Sequence, residues 1–84
     1  LEASSKPLGP YIAAVIRLQR IKREWSQERL ALEAGMKPSE VSHLESGRRN
    51  PKVGTLERLA NAIGVRISDI LRLSEELRSR VDRL

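Results

Sequence analysis

An 84-residue chain with a net charge of +5 and only Tyr11 and Trp25 as aromatic residues must build its core from Leu, Ile, Val and Ala. A domain of this size buries only about 60% of the surface its unfolded chain exposes, a limit that favours closely packed aliphatic helices over a β-sandwich. Cysteine is absent and His43 is the single histidine, so a disulfide framework and a metal site built on thiolates or clustered histidines are excluded.

The opening LEASSKPLGP, rich in proline, glycine and serine, reads as a flexible lead-in over residues 1–10, and a first residue other than Met suggests a trimmed chain. From Tyr11 to near Arg23 the spacing predicts a first helix whose apolar face is Ile12, Val15 and Ile16, widened by Leu18 and Ile21, with Trp25 following as a core anchor. Ser26 is a suitable N-cap for a second helix, Gln27 to Ala34, with Leu30, Ala31 and Ala34 inward. Gly35 then sits where a helix commonly ends in a left-handed residue, and Pro38 suits the first turn of a third helix running towards Ser46. Thr55 is read as the cap of a fourth helix that buries Leu56, Leu59, Ala60 and Ile63 and stops at Gly64. Ser68 and Asp69 are read as the start of a fifth, carrying Ile70 and Leu71.

The second and third helices form a tight helix-turn-helix, because Ala31 and Ala34 allow close approach. Stepping 100° per residue puts Val41 and Leu44 on the core side of the third helix. Ser39, Ser42, His43 and Ser46 fall opposite, with Glu40 and Glu45 on the flanks. Taken alone, that stripe fits an ordinary solvated helix face. The loop GRRNPK that follows is different, since Arg48, Arg49 and Lys52 carry positive charge with no acid among them and can reach the phosphates of a polyanion.

The run SQERLALEAGMKPSEVSHLESGRRNPKVGTLERLANAIGVRISDIL joins an S-Q opening to L-A-x-x-A-G-M, S-x-V-S-x-L-E-x-G and T-L-x-x-L-A-x-A-I-G-V. It resembles the lambda-repressor-like, Cro/cI-type helix-turn-helix family, also called the XRE family, over residues 11–73. The resemblance implies an all-α, five-helix DNA-binding domain and a sequence-specific transcriptional regulator, repressors included. It further implies a homodimer that places its third helix in the major groove of a palindromic operator. By the same resemblance Gln27 clamps a phosphate, Pro38, Ser39, Glu40 and His43 face the bases, and Ser42 and Ser46 lie beside them. Arg48, Arg49, Asn50 and Lys52 form the basic loop, and Arg20 with Glu45 matches a buried structural pair.

Departures from the family pattern are specific. Pro38 stands where some members carry a glutamine, leaving only apolar contact, and Glu40 suits a cytosine amino group and not a phosphate. Lys37 replaces a Ser or Asn cap and is free to reach the DNA backbone, and Glu24 replaces a glycine at the end of the first helix. His43 is the strongest candidate reader.

Residues 74–84 extend the chain as a helical segment in which Ile70, Leu77 and Leu84 recur every seven residues, with Leu73 and Val81 near the same stripe. The stripe is read either as a dimerisation surface or as the side of the fifth helix that folds back on the first. Leu32 is an apolar residue on the outer side of the second helix.

Double-stranded DNA is therefore the expected partner, with a homodimer and no membrane. No cofactor is expected, because a lone histidine, no cysteine and no glycine-rich phosphate loop leave nothing to organise a reaction. A cytoplasmic location is expected, since no run approaches the roughly 18 apolar residues of a membrane span. The alternative is a protein-interaction module, as in antitoxin-type members that bind a protein with this fold, with a toxin or RNA polymerase as the protein partner. The polar, acid-flanked third helix favours that alternative.

Overall fold

In the computed structural model, which describes residues 6–84, the chain forms α1 Gly9–Lys22, α2 Gln27–Ala34, α3 Pro38–Glu45, α4 Val53–Ile63 and α5 Ile67–Asp82. Among the described residues there is no strand. One core joins all five helices: Ile16, Leu30, Ala31, Val41, Leu59 and Ile70 are fully buried within it. The helix α5 lies along α1, and α2 packs on α3 and α4, so α3 is held from behind by Val41 and Leu44.

Three helices end by the same device. After α1, the amide of Trp25 donates to the carbonyl of Arg20 at 3.2 Å and that of Glu24 to Ile21 at 2.9 Å. After α2, Met36 donates to Ala31 at 2.8 Å and Gly35 to Leu32 at 3.3 Å; after α4, Val65 and Gly64 both donate to Ala60. Each pattern requires one left-handed residue just past the helix. Gly35 and Gly64 supply it at φ 66° and 85° as expected, but at the end of α1 the left-handed residue is Glu24, with φ 57°. A side chain there carries a conformational cost that glycine avoids.

Helix starts depart from the sequence reading in three places. The expected lead-in is partly inside the fold: residues 1–5 lie outside the described residues, but Leu8 packs against the core and Gly9 and Pro10 open α1. Pro10 acts there as a first-turn proline, with the amides of Tyr11 and Ile12 bonded to the Leu8 carbonyl at 3.0 Å. The helix α4 begins at Val53 after the extended Lys52, so Thr55 is not its cap. The helix α5 begins at Ile67, and Asp69 works from the third position, where its Oδ2 accepts the Arg66 amide at 3.1 Å. That bond holds the Asp69 carboxyl below its ordinary pKa. At α3, Glu40 Oε1 accepts the Lys37 amide at 3.0 Å in the same way. In both cases an acid at the third position satisfies the amide of the residue before the helix, the reciprocal half of a capping box, while Lys37 and Arg66 make no side-chain cap bond.

Several apolar residues also moved. Leu18 and Ile21 do not widen the buried face of α1 but are about half exposed, at 56% and 49%. Trp25 is half-buried, with the Arg29 guanidinium over its ring at 5.1 Å from the centroid. Ile70 belongs to the core of its own protomer, and Leu73 packs against that core. For these two residues the stripe on α5 is the side folded back on the domain. The helix runs on through Ser74, which is fully buried and donates to the Ile70 carbonyl at 2.7 Å, so nothing separates residues 74–82 from it.

A single ion pair ties the first three helices together. Arg20 Nε and Nη2 donate to the two Glu45 oxygens at 2.8 and 2.9 Å, and Arg20 Nη1 donates to the Trp25 carbonyl at 2.7 Å. The two side chains are only 13% and 4% exposed. The hydrogen bonds to Glu45 raise the Arg20 pKa against the opposing effect of burial.

Glu45→Ala should cost about 3–5 kcal/mol by leaving Arg20 buried and unpaired, a loss measurable by urea unfolding. Glu24→Gly should act oppositely, raising stability by up to about 1 kcal/mol because the left-handed residue would no longer be strained. An unchanged or lower midpoint for the glycine variant would place no strain at Glu24.

Candidate nucleic-acid interface

The outer side of α3 emerges as a ridge between two open grooves. One, of about 440 Å³, is lined by Ser39, Glu40 and His43 from α3, by Arg49, Asn50 and Pro51 from the following loop, and by Thr55, Met36 and Leu44. The other, of about 290 Å³, is lined by Ser42, Glu45 and Ser46 from α3, Gln27 from α2, and Arg17 and Arg20 from α1. The exposed ridge residues Ser39, Ser42, His43 and Ser46 therefore have a basic residue across a groove on either side.

Local folding explains the placement. Pro38 opens α3 after the extended Lys37, and Val41 and Leu44 turn inward, which fixes the rotation of the eight-residue helix. The Ser46 hydroxyl donates to the His43 carbonyl and closes the last turn, after which Gly47, at φ 73°, redirects the chain into the basic loop. Ser46 is thus a helix-end residue as well as a groove residue.

Among the sequence-predicted site residues, Ser39, Glu40, His43, Arg49 and Asn50 meet in the first groove and Gln27, Ser42 and Ser46 in the second. Lys37, Pro38, Arg48 and Lys52 are exposed and line neither groove. The two acids flanking the ridge are both engaged, Glu45 in the buried pair with Arg20 that the family resemblance implied and Glu40 at the exposed edge of the first groove. Glu40 has one oxygen committed to the Lys37 amide. Gln27 is not free either, since its Nε2 donates to Glu45 Oε1 at 3.1 Å. That bond fixes the carboxamide and leaves one N–H for a ligand in the groove.

Arg17 is a residue that sequence reasoning missed. It is exposed and stands across the second groove from Ser42 and Ser46. Its spacing of three from Arg20 put both on one face of α1, and that spacing was the available signal. Thr55, read as a helix cap, is the second missed residue, lining the first groove beside Asn50. Among the described residues no group of three or more His, Asp or Glu side chains could hold a metal ion, and no helix is long and apolar enough to cross a membrane.

Known proteins share this arrangement. A family model described as helix-turn-helix matches residues 16–70. A hypothetical transcription factor of Neisseria meningitidis serogroup B is 36% identical over 64 residues, which make up 76% of this chain but 60% of that protein. The control protein C.BamHI of Bacillus amyloliquefaciens is 33% identical over 57 residues, 68% of this chain and 70% of the relative. Among solved structures, the hypothetical transcription factor NHTF from Neisseria superposes with a TM-score of 0.73 at 34% identity, covering 84% of this chain and 85% of the other. The clp gene regulator ClgR from Corynebacterium glutamicum shares the fold with a TM-score of 0.81 at 22% identity, covering 95% of this chain and 88% of the other. With the family match spanning most of its length and relatives about a third identical, the chain belongs to the Cro/cI-type helix-turn-helix family.

Proposed function

We propose that the domain is a sequence-specific DNA-binding regulator of transcription that acts as a homodimer on a palindromic operator, with α3 in the major groove. The observation that carries this is the exposed polar ridge of α3 with basic residues across a groove on each side. An α-helix fits the width of the major groove, and cations on both sides then meet the two phosphate backbones. The family match and relatives described as a transcription factor and a control protein support the same conclusion. The domain is not an enzyme, in keeping with that family.

In this mechanism Arg48, Arg49 and Lys52 grip phosphates on one side of α3, while Arg17 and the fixed carboxamide of Gln27 do so on the other. Lys37, at the start of α3, reaches the backbone as well. His43 reads a base through its ring nitrogens, Pro38 offers apolar contact to a thymine methyl, and Ser39, Ser42 and Ser46 supply short hydroxyl contacts. Glu40 keeps one oxygen for a cytosine amino group, and Asn50 adds a carboxamide at the groove edge. The short side chains on the ridge leave much of the discrimination to DNA shape and half-site spacing.

The protein-binding alternative drew its support from the acid flanks of α3. Burial of Glu45 takes one of those two acids off the surface, while Glu40 stays exposed with one oxygen bonded to the Lys37 amide. For the homodimer, Leu77 and Val81 are half-buried and Leu84 is fully exposed, so the C-terminal turns of α5 and the residues after them are the proposed contact. Ile70 is buried in the core and offers it no surface, while Leu73 is half-buried and lines an open groove with Leu77.

Selection of duplexes from a random library should enrich a palindrome with half-sites about 10 bp apart. Enrichment of nothing would overturn sequence-specific binding. If Arg17, Lys37, Arg48, Arg49 and Lys52 each neutralise one phosphate, the dimer should show a log-affinity against log-salt slope near −9, falling to about −5 when Arg48 and Arg49 are both alanine. An unchanged slope would remove the loop from the interface. His43→Ala should change the selected sequence more than it lowers affinity for unrelated duplexes; equal loss on all duplexes would make His43 a backbone contact.

A further inference from the structure

Gly9 and Gly47 both lie where the first turns of α1 meet the segment after α3, Gly9 against Arg49 and Asn50 and Gly47 against Pro10 and Ala13. Gly47 needs its glycine for a left-handed φ of 73°, and a Cβ there would also stand 3.3 Å from the Pro10 Cα. Gly9 has ordinary helical backbone and is buried for a different reason. A Cβ on Gly9 would fall onto Asn50 Oδ1 and lie 3.4 Å from the Arg49 carbonyl oxygen. The bare Cα at the first position of α1 is therefore a seat for the carboxamide of Asn50.

From this contact we propose that Gly9 is a positioning residue for DNA binding, acting through Asn50. The proposal rests on the DNA-binding function above and adds a residue from the opposite end of the sequence. Leu8, the residue ahead of α1, gives the helix no side-chain cap, and the positive end of the helix favours the oxygen end of the carboxamide. With Oδ1 turned to α1, the two N–H donors of Asn50 are left for the groove that it lines with Ser39, His43 and Arg49. The seat thus decides which end of Asn50 a phosphate or base would meet.

The first turn of α1 is also poorly placed to yield. Leu8 packs on the core, and ahead of it Lys6 Nζ pairs with Asp82 at 3.2 Å while its carbonyl accepts from Arg78 Nη1 at 3.2 Å. Asn50, in contrast, is exposed and its amide is the end of a short side chain. A methyl group added at Gly9 is accommodated by swinging Asn50 out of its seat, with the helix left intact. Alanine is an excellent helix residue, so the substitution carries no propensity cost.

The test compares Gly9→Ala, Asn50→Ala and the double variant in binding to a labelled mixed-sequence duplex over a range of salt, with thermal unfolding followed by circular dichroism. Gly9→Ala should unfold at or above the parent temperature yet bind about a hundredfold more weakly, the loss expected for one hydrogen bond to a charged group in each of two subunits. Because a carboxamide releases no counterion, the log-affinity against log-salt line should shift without changing slope. Asn50→Ala should show the same loss, and adding Gly9→Ala to it should cost nothing further. Parent-like affinity for Gly9→Ala, or an equal loss in the Asn50→Ala background, would overturn the proposal. The variant with both Arg48 and Arg49 changed to alanine separates the two levels. If it binds as the parent does, DNA binding through the loop and the role of Gly9 fall together; if it loses binding while Gly9→Ala does not, only the role of Gly9 falls.

Discussion

The buried carboxylate of Glu45 is the point on which the recognition surface depends. It lies at the end of α3 and accepts two bonds from Arg20 on α1 and one from Gln27 at the start of α2. Arg20 in turn holds the carbonyl of Trp25, in the link between α1 and α2. Such a pair adds little net stability over an apolar substitute, because desolvation of two charges consumes most of the Coulomb gain. Its contribution is geometric. Helices of eight residues such as α2 and α3 have no independent stability. Packing at Val41 and Leu44 sets how α3 rotates, and the Glu45 network sets where its far end lies relative to α1 and α2.

The helix ends were the part of the fold most legible in the sequence, where the residue that terminates a helix has no alternative use. Gly35 and Gly64 announce the ends of α2 and α4 because only glycine adopts the left-handed conformation cheaply. The end of α1 uses the same hydrogen-bond pattern on Glu24, and there the departure from glycine was visible but its conformation was not. Helix starts were less legible. At α3 and α5 the capping acid is at the third position, so Lys37 and Arg66 occupy a place that sequence rules reserve for Ser, Asp or Asn. The acid three residues on satisfies the amide of the residue before the helix, and the amides that a Ser or Asp side chain would take, those of Glu40 and Asp69, bond the Lys37 and Arg66 carbonyls.

On the candidate interface, periodicity within α3 separated core from ridge correctly, since Val41 and Leu44 leave a single possible rotation. It could not tell that Glu45, near the edge of the stripe, turns inward. That depends on Arg20, twenty-five positions earlier in the chain. Gly9 was illegible for the same reason, because what meets the first turn of α1 is fixed by tertiary packing, whereas Arg17 was placed only by its spacing from Arg20. The heptad spacing of Ile70, Leu77 and Leu84 left two readings open. A repeat on one helix records which side is apolar and says nothing of whether a second chain or the first helix covers it. For Ile70 the core of its own protomer does.

The arrangement divides stiffness and reach between different parts of the molecule. On α3 the outward side chains are mostly serines, whose hydroxyls cannot reach beyond their immediate neighbours. Longer side chains stand around it: Arg17 on α1, Gln27 on α2, Arg48, Arg49 and Lys52 after α3. A short helix clamped at both ends and surrounded by long cations favours close approach before base contact, because the cations engage phosphates at a distance that serine cannot. For DNA binding this predicts a large salt-dependent component of affinity common to all duplexes. In the proposed mechanism, contacts from other helices set the geometry of approach: Gln27 is held by Glu45 and Asn50 is seated at Gly9. In that mechanism the joints between helices set the contact geometry, and the outer face of α3 does not act alone.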